Sequence, residues 1–135
     1  MILRERFARY GKASARSLSA LARKGVEAEL FYSFADVAHL TDTKLGKLIS
    51  MHPRTVRNYS DNKKTLEPIV SEHLLKLISL YGKGEEILGS VEEFNYWLNK
   101  PIPRTKEKPI DLLITPGGVD LVAEELEKLA QGYPL

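Results

Sequence analysis

Residues 41–59 read TDTKLGKLISMHPRTVRNY, and this stretch decides the fold. Thr41-Asp42-Thr43 is a run of good helix N-caps, whose side-chain oxygens can accept from the unpaired N–H groups of a first turn. Leu45, Leu48 and Ile49 follow at the i, i+3, i+4 spacing of one helical face. Ser50-Met51-His52 makes a short turn. Pro53 then stands where a first helical position tolerates a missing N–H. The helix it opens buries Val56, with Tyr59 beside it, and projects Arg54, Thr55, Arg57 and Asn58. Two short helices joined by a tight turn, the second with a polar, Arg-rich outer face, form the pattern of a helix-turn-helix.

The side chains suit base reading. Arg54 or Arg57 can fork onto guanine O6 and N7, Asn58 can pair with an adenine edge, and Thr55 can bond phosphate or meet a thymine methyl. Lys44, Lys47, Lys63 and Lys64 flank this face and are expected to hold phosphates without reading sequence. The plainer alternative is a helical hairpin with a solvated basic face.

Upstream, Leu30, Phe31, Phe34, Val37 and Ala38 keep helical period from Glu27 to about Leu40. Residues 1–24 carry Leu3, Phe7, Tyr10, Leu18, Leu21 and Ala22, with a break near Gly11 and a stop at Gly25. They hold seven basic residues against Glu5. A phosphate-binding arm that releases counterions and an ordinary terminus both fit. Residues 1–26 are therefore a basic N-terminal arm or helix, 27–67 the helix-turn-helix part, and 68–135 a second helical domain.

Downstream, Thr65-Leu66-Glu67-Pro68 is a break. Leu74, Leu77, Ile78 and Tyr81 then form one apolar stripe, expected to end at Gly82 and Gly84. Ser90-Val91-Glu92-Glu93 is a capping box opening a short helix with Phe94, Trp97 and Leu98. Pro101 and Pro103 stop it, and Pro109-Ile110-Asp111-Leu112-Leu113 restarts apolar structure. A last helix from Pro116 to Gln131 turns Val119, Val122, Leu126 and Leu129 inward and leaves Glu124, Glu125 and Glu127 outside, with Gly132 as its left-handed stop. The pattern contains no convincing strand and no repeat. The fold expected is all-α.

The chain has 135 residues, no cysteine and a net charge of +2, which bounds it to one or two small domains without disulfides or thiolate chemistry. No apolar run reaches the roughly 18 residues of a membrane span, and the N-terminus lacks the apolar core of a secretory signal. A cytoplasmic protein is expected. The charge is uneven: residues 44–64 carry six basic residues against Asp61, while residues 109–135 carry five acids against Lys128. A basic front and an acidic tail suit one partner of each sign.

Enzymatic readings fare badly. His39, His52 and His73 share neither a helical face nor a metal-ligand spacing. Glu92-Glu93 and Glu124-Glu125 are adjacent pairs on helices and do not converge. Gly82-x-Gly84 and Gly117-Gly118 lack the lysine and strand of a phosphate loop. No catalytic residue, metal site or cofactor is expected.

Several segments in order, HPRTVRNY (52–59), SEHLLKLISLYG (71–82), FNYWLNKP (94–101), KPIDLLITPGG (108–118) and QGYPL (131–135), resemble the Xre/ParS/MbcA-type antitoxins of bacterial toxin–antitoxin pairs. The likeness covers roughly two thirds of the chain. It departs from the family where PRTKEK replaces a glycine-rich tract and where Pro-Leu follows the terminal Gly-Tyr. It implies a dimer whose helix-turn-helix binds operator DNA and represses its own operon. It also implies a C-terminal domain that binds a RES-domain toxin, an NAD-consuming enzyme similar to ADP-ribosyltransferases. The tail Gly132, Tyr133, Pro134 and Leu135 would reach the toxin's active-site entrance, with Tyr133 as a rigid anchor beside a terminal carboxylate. Trp97, Pro101, Pro109, Asp111, Leu112 and Leu113 would form the platform behind it. The residue types alone favour a packing role for Trp97, Leu112 and Leu113. The alternative function is a stand-alone transcription regulator whose C-terminal domain only dimerises.

Overall fold

A computed structural model describes residue 7 and residues 14–132. The arm expected before Ser14 and the tail Tyr133–Leu135 therefore lie outside the described residues, Phe7 excepted. Among the described residues eight helices follow one another: α1 (Ala15–Lys24), α2 (Glu29–Ala38), α3 (Asp42–Ile49), α4 (Pro53–Asp61), α5 (Pro68–Leu88), α6 (Val91–Leu98), α7 (Pro109–Leu112) and α8 (Pro116–Ala130). The only strand-like pairing among them is an isolated antiparallel bridge between Glu27 and Thr65. The all-α expectation holds.

The caps explain where the helices start. Ser14, Thr41, Ser90 and Thr115 each accept a backbone N–H three residues on, which satisfies one otherwise unpaired donor per helix. Proline occupies the first turn of α4, α5, α7 and α8, where its missing N–H is of no consequence. Of the capping box, the serine arm is formed: Glu93 N donates to Ser90 Oγ at 3.0 Å.

α5 is the axis of the molecule, packing against α1, α2, α3, α6 and α8. It buries Leu74, Leu75, Leu77, Ile78, Leu80 and Tyr81, each aliphatic contributing on the order of 1.5–3 kcal/mol of apolar burial. Its length corrects the expected stop at Gly82 and Gly84, for it continues to Leu88 and ends on Gly89, whose φ is 100°. The reason lies in the partner helix. A Cβ on Gly84 would overlap the Phe94 ring of α6, so this glycine admits an aromatic against the α5 backbone. Its helix-propensity cost of about 1 kcal/mol is offset by the packing of the ring.

That ring belongs to a file of aromatics crossing the core. Phe7 meets Phe34 edge-on at 6.2 Å, Phe34 meets Tyr81 at 5.3 Å, Tyr81 meets Phe94 at 4.8 Å, and Phe94 stacks on Trp97 at 6.0 Å. Edge-on pairs of this kind add to simple burial. The Tyr81 hydroxyl donates to Asn95 Oδ1 at 2.7 Å, and Asn95 Nδ2 donates to the Ala38 carbonyl at 2.8 Å. Burial pushes the Tyr81 pKa upward, so it stays a neutral donor that ties α2, α5 and α6 together.

The segment expected to be an arm or a helix is a helix from Ala15 onward, docked on α5 through Leu18 and Ala22. A second buried knot fixes the entry to α5. Val26 N donates to Ser71 Oγ at 3.0 Å, Ser71 Oγ donates to the Leu66 carbonyl at 3.1 Å, and Leu66 N donates to the Val26 carbonyl at 2.8 Å.

Candidate functional site

α3 and α4 join through Ser50-Met51-His52, with Ser50 in the left-handed region at φ 60°. Met51 N donates to the Gly46 carbonyl at 2.8 Å, and the Met51 carbonyl occupies the space a Cβ on Gly46 would need. The turn is therefore closed by a close backbone approach that only glycine permits. His52 acts as the cap of α4: its Nδ1 accepts from Arg54 N at 3.1 Å. That role was not legible from a histidine in a turn.

Val56 is fully buried, while Arg54, Thr55, Arg57 and Asn58 are all exposed. At 100° per residue, Arg54 and Asn58 lie opposite Val56 at the centre of the outward face, with Thr55 and Arg57 on its two edges. Arg57 lies near the Tyr32 hydroxyl of α2. Burial, then the Asp42 carboxylate, pushes the Tyr32 pKa up, and Arg57 pulls it the other way. Asn58 Oδ1 accepts from Asn62 Nδ2 at 3.0 Å, which leaves a second lone pair and the Asn58 amide donors for a base. Ser60 Oγ donates to Glu29 Oε1 at 2.9 Å, holding the end of α4 against α2.

Lys44, Lys47, Lys63 and Lys64 are exposed around this face. Lys63 has φ 53°, and Lys64 N donates to the Tyr59 carbonyl at 2.8 Å while its ammonium lies 6.0 Å from the Tyr59 ring. The structure thus gathers all eight DNA-side candidates on or beside α3 and α4.

The other candidates separate. Trp97 is half-buried on Phe94 and lines a groove of about 230 Å³ with Lys100, Pro101, Ile102, Pro103 and Pro109. Lys100 sits over the exposed Tyr96 ring at 4.7 Å. Asp111 is exposed and lies instead in a cleft with Lys44, Asn99, Lys106 and Lys108. Leu113 is fully buried and Leu112 partly so, in keeping with the packing role expected of them. Gly132 has φ 82°, and its N–H bonds the Leu129 carbonyl at 3.0 Å, so it does close α8. Tyr133, Pro134 and Leu135 lie outside the described residues.

The TPGG junction acquires a physical meaning here. Thr115 Oγ1 accepts from Gly118 N at 3.0 Å, Pro116 fills the first turn, and the Leu112 carbonyl takes the place a Cβ on Gly118 would occupy. His73, buried in α5, has Nε2 at 2.8 Å from the Leu113 carbonyl. A carbonyl only accepts, so Nε2 carries the proton, and burial lowers the His73 pKa below 6.5.

Glu125 corrects the expectation that it faces outward. Its side chain is only 14% exposed, with Oε1 3.2 Å from Arg104 and 3.5 Å from Lys128, while Oε2 is buried without a hydrogen-bond partner. It clamps the 101–108 loop onto α8. Lys76–Asp120 and Lys83–Glu127 pairs, each 3.0 Å, link α5 to α8 further. The described residues hold no grouping of His, Asp and Glu able to bind a metal ion, nor any helix long and apolar enough to cross a membrane.

A helix-turn-helix carried on the same long helix as a second helical module defines a two-part binding protein. Two family models match it: the antitoxin Xre-like helix-turn-helix domain over residues 17–79, and the antitoxin Xre/MbcA/ParS C-terminal toxin-binding domain over residues 83–132. The chain belongs to the Xre/MbcA/ParS antitoxin family. The seam between the two matches falls inside α5. A comparison with curated proteins gave no match.

Proposed function

We propose that this antitoxin neutralises a cognate RES-domain toxin, an NAD-consuming enzyme similar to ADP-ribosyltransferases, and represses its own operon as a cytoplasmic homodimer. The observation that carries this is the tandem of the two family matches on a chain whose α4 keeps Arg54, Thr55, Arg57 and Asn58 exposed. On the DNA side, Arg54 and Asn58 read base edges, Thr55 and Arg57 flank them, and Lys44, Lys47, Lys63 and Lys64 hold phosphates. On the toxin side, Gly132 ends α8 and the tail Tyr133-Pro134-Leu135 enters the toxin's active-site mouth. Tyr133 anchors it as a rigid aromatic. The groove of Trp97, Pro101 and Pro109 and the exposed Asp111 support the platform, whose acidic last helix complements a pocket built for an anionic dinucleotide.

Co-expression tests the toxin half. The full chain should rescue growth of cells expressing the RES-type reading frame from its operon, and failure to rescue would remove neutralisation. Band-shift titration with the operon's promoter tests the DNA half separately. No binding there would leave an antitoxin without autorepression.

A further inference from the structure

The cleft that takes in Asp111 has a volume of about 460 Å³ and is lined from both modules. Lys44 comes from the first turn of α3, and Lys106 and Lys108 come from the loop between α6 and α7. The loop is held firmly. Lys106 N donates to the Ile102 carbonyl at 2.7 Å, Ile102 N donates to the Glu107 carbonyl at 2.8 Å, and Ile102 is buried. Arg104 is pinned to Glu125 at 3.2 Å. Lys106 itself has φ 67°, a left-handed conformation that lysine rarely takes. Among the described residues, none of these three lysines is held in an ion pair. Glu107 and Asp111 line the cleft as well, so three cations face two carboxylates and the surplus is one positive charge.

We infer that this loop of the toxin-binding module is a second DNA-contacting element, placing Lys106 and Lys108 beside Lys44 on the phosphate backbone next to the helix-turn-helix. The inference rests on the DNA-binding half of the proposed function. In a docked helix-turn-helix the first helix crosses the sugar–phosphate backbone while the second enters the major groove. Lys44 stands in the first turn of that first helix. A cationic wall continuing from Lys44 therefore follows the strand that α3 crosses. Contacts of this kind add affinity and fix register without reading sequence. The charged stretch PRTKEK (103–108) supplies Lys106 and Lys108 to this wall.

Salt dependence of DNA binding by the full chain tests it. The probes are the promoter duplex and an unrelated duplex of equal length. Each lost phosphate contact lowers the slope of log K against log salt by about 0.9. Lys106→Ala/Lys108→Ala should lower the slope by about 1–2 on both duplexes, keep the preference for the promoter, and leave toxin affinity unchanged. Lys76→Ala/Lys83→Ala removes the same charge from lysines already paired to Asp120 and Glu127, and should leave the slope as it was. An unchanged slope in the loop variant, or an equal drop in the control, would overturn the inference. So would a loop variant whose only defect is toxin affinity, which would assign the lysines to the protein partner. If the unaltered chain binds neither duplex, the DNA-binding reading itself falls and takes this inference with it.

Discussion

The α3–α4 unit and the Trp97–Gly118 junction carry the two densest motifs of the chain, yet they use their residues in opposite ways. In α4 the motif points outward: one side chain, Val56, is fully buried, and the polar residues that make the pattern recognisable are exposed. In the junction the motif points inward or into the backbone. Leu98, Ile102, Pro109 and Leu113 are buried, Thr115 caps α8, and Gly118 makes room for a carbonyl. A patterned stretch is therefore no guide by itself to where a partner binds. In the first region the pattern is an exposed polar surface; in the second it is the frame that sets the direction of α8.

This difference can be broken by substitution. Phe94→Ala removes the centre of the aromatic file that crosses from Phe34 to Trp97, and should cost about 3–5 kcal/mol in chemical denaturation. Loss of less than 1 kcal/mol would mean that the file is not a shared core. Gly118→Ala forces a methyl against the Leu112 carbonyl and should cost about 1–3 kcal/mol. Gly117→Ala meets open space and should be neutral or stabilising by up to about 1 kcal/mol. Equal effects at the two glycines would contradict the close approach at Gly118. In α4 the outcome should reverse: Arg54→Ala and Asn58→Ala each cost about 1–3 kcal/mol of operator affinity while the melting temperature stays put.

The smallest expected effect is a pH dependence. Burial lowers the His73 pKa below its ordinary value of 6.5, so the unfolded chain takes up the proton first as pH falls. Stability is then full above pH 6.5 and declines as the pH drops below it toward the folded-state value. His73→Gln should flatten the stability profile just below pH 6.5 relative to the unaltered chain. A parallel decline in both proteins would assign the dependence to other groups.

Much of this was legible in the sequence because it rests on local rules. Thr41, Pro53, Ser90 and Gly132 announced their helix ends through side-chain oxygens, a missing N–H or freedom at positive φ. The exposed quartet on α4 followed from the period of one helix around Val56. Tertiary contacts were not legible. Gly84 read as a helix stop because nothing local reveals a phenylalanine ring pressed against it from α6. Glu125 read as solvated because its partner Arg104 lies 21 residues away. His52 as a cap, the Ser71 knot and the Tyr81–Asn95–Ala38 chain likewise depend on which elements meet. Of the toxin-side candidates, Trp97, Pro101 and Pro109 converge on one groove and Asp111 does not. Spacing along the chain could not separate them, because the loop between α6 and α7 turns back on itself.

The central claim is that the junction holds while the tail binds, and calorimetry of one truncation tests it most directly. A chain ending at Gly132, titrated against the proposed RES-type toxin, should lose at least about 2 kcal/mol of affinity, the truncation cost of an anchoring aromatic, with melting temperature and promoter affinity unchanged. Toxin affinity equal to that of the full chain would contradict the account and return the partner surface to the Trp97 groove.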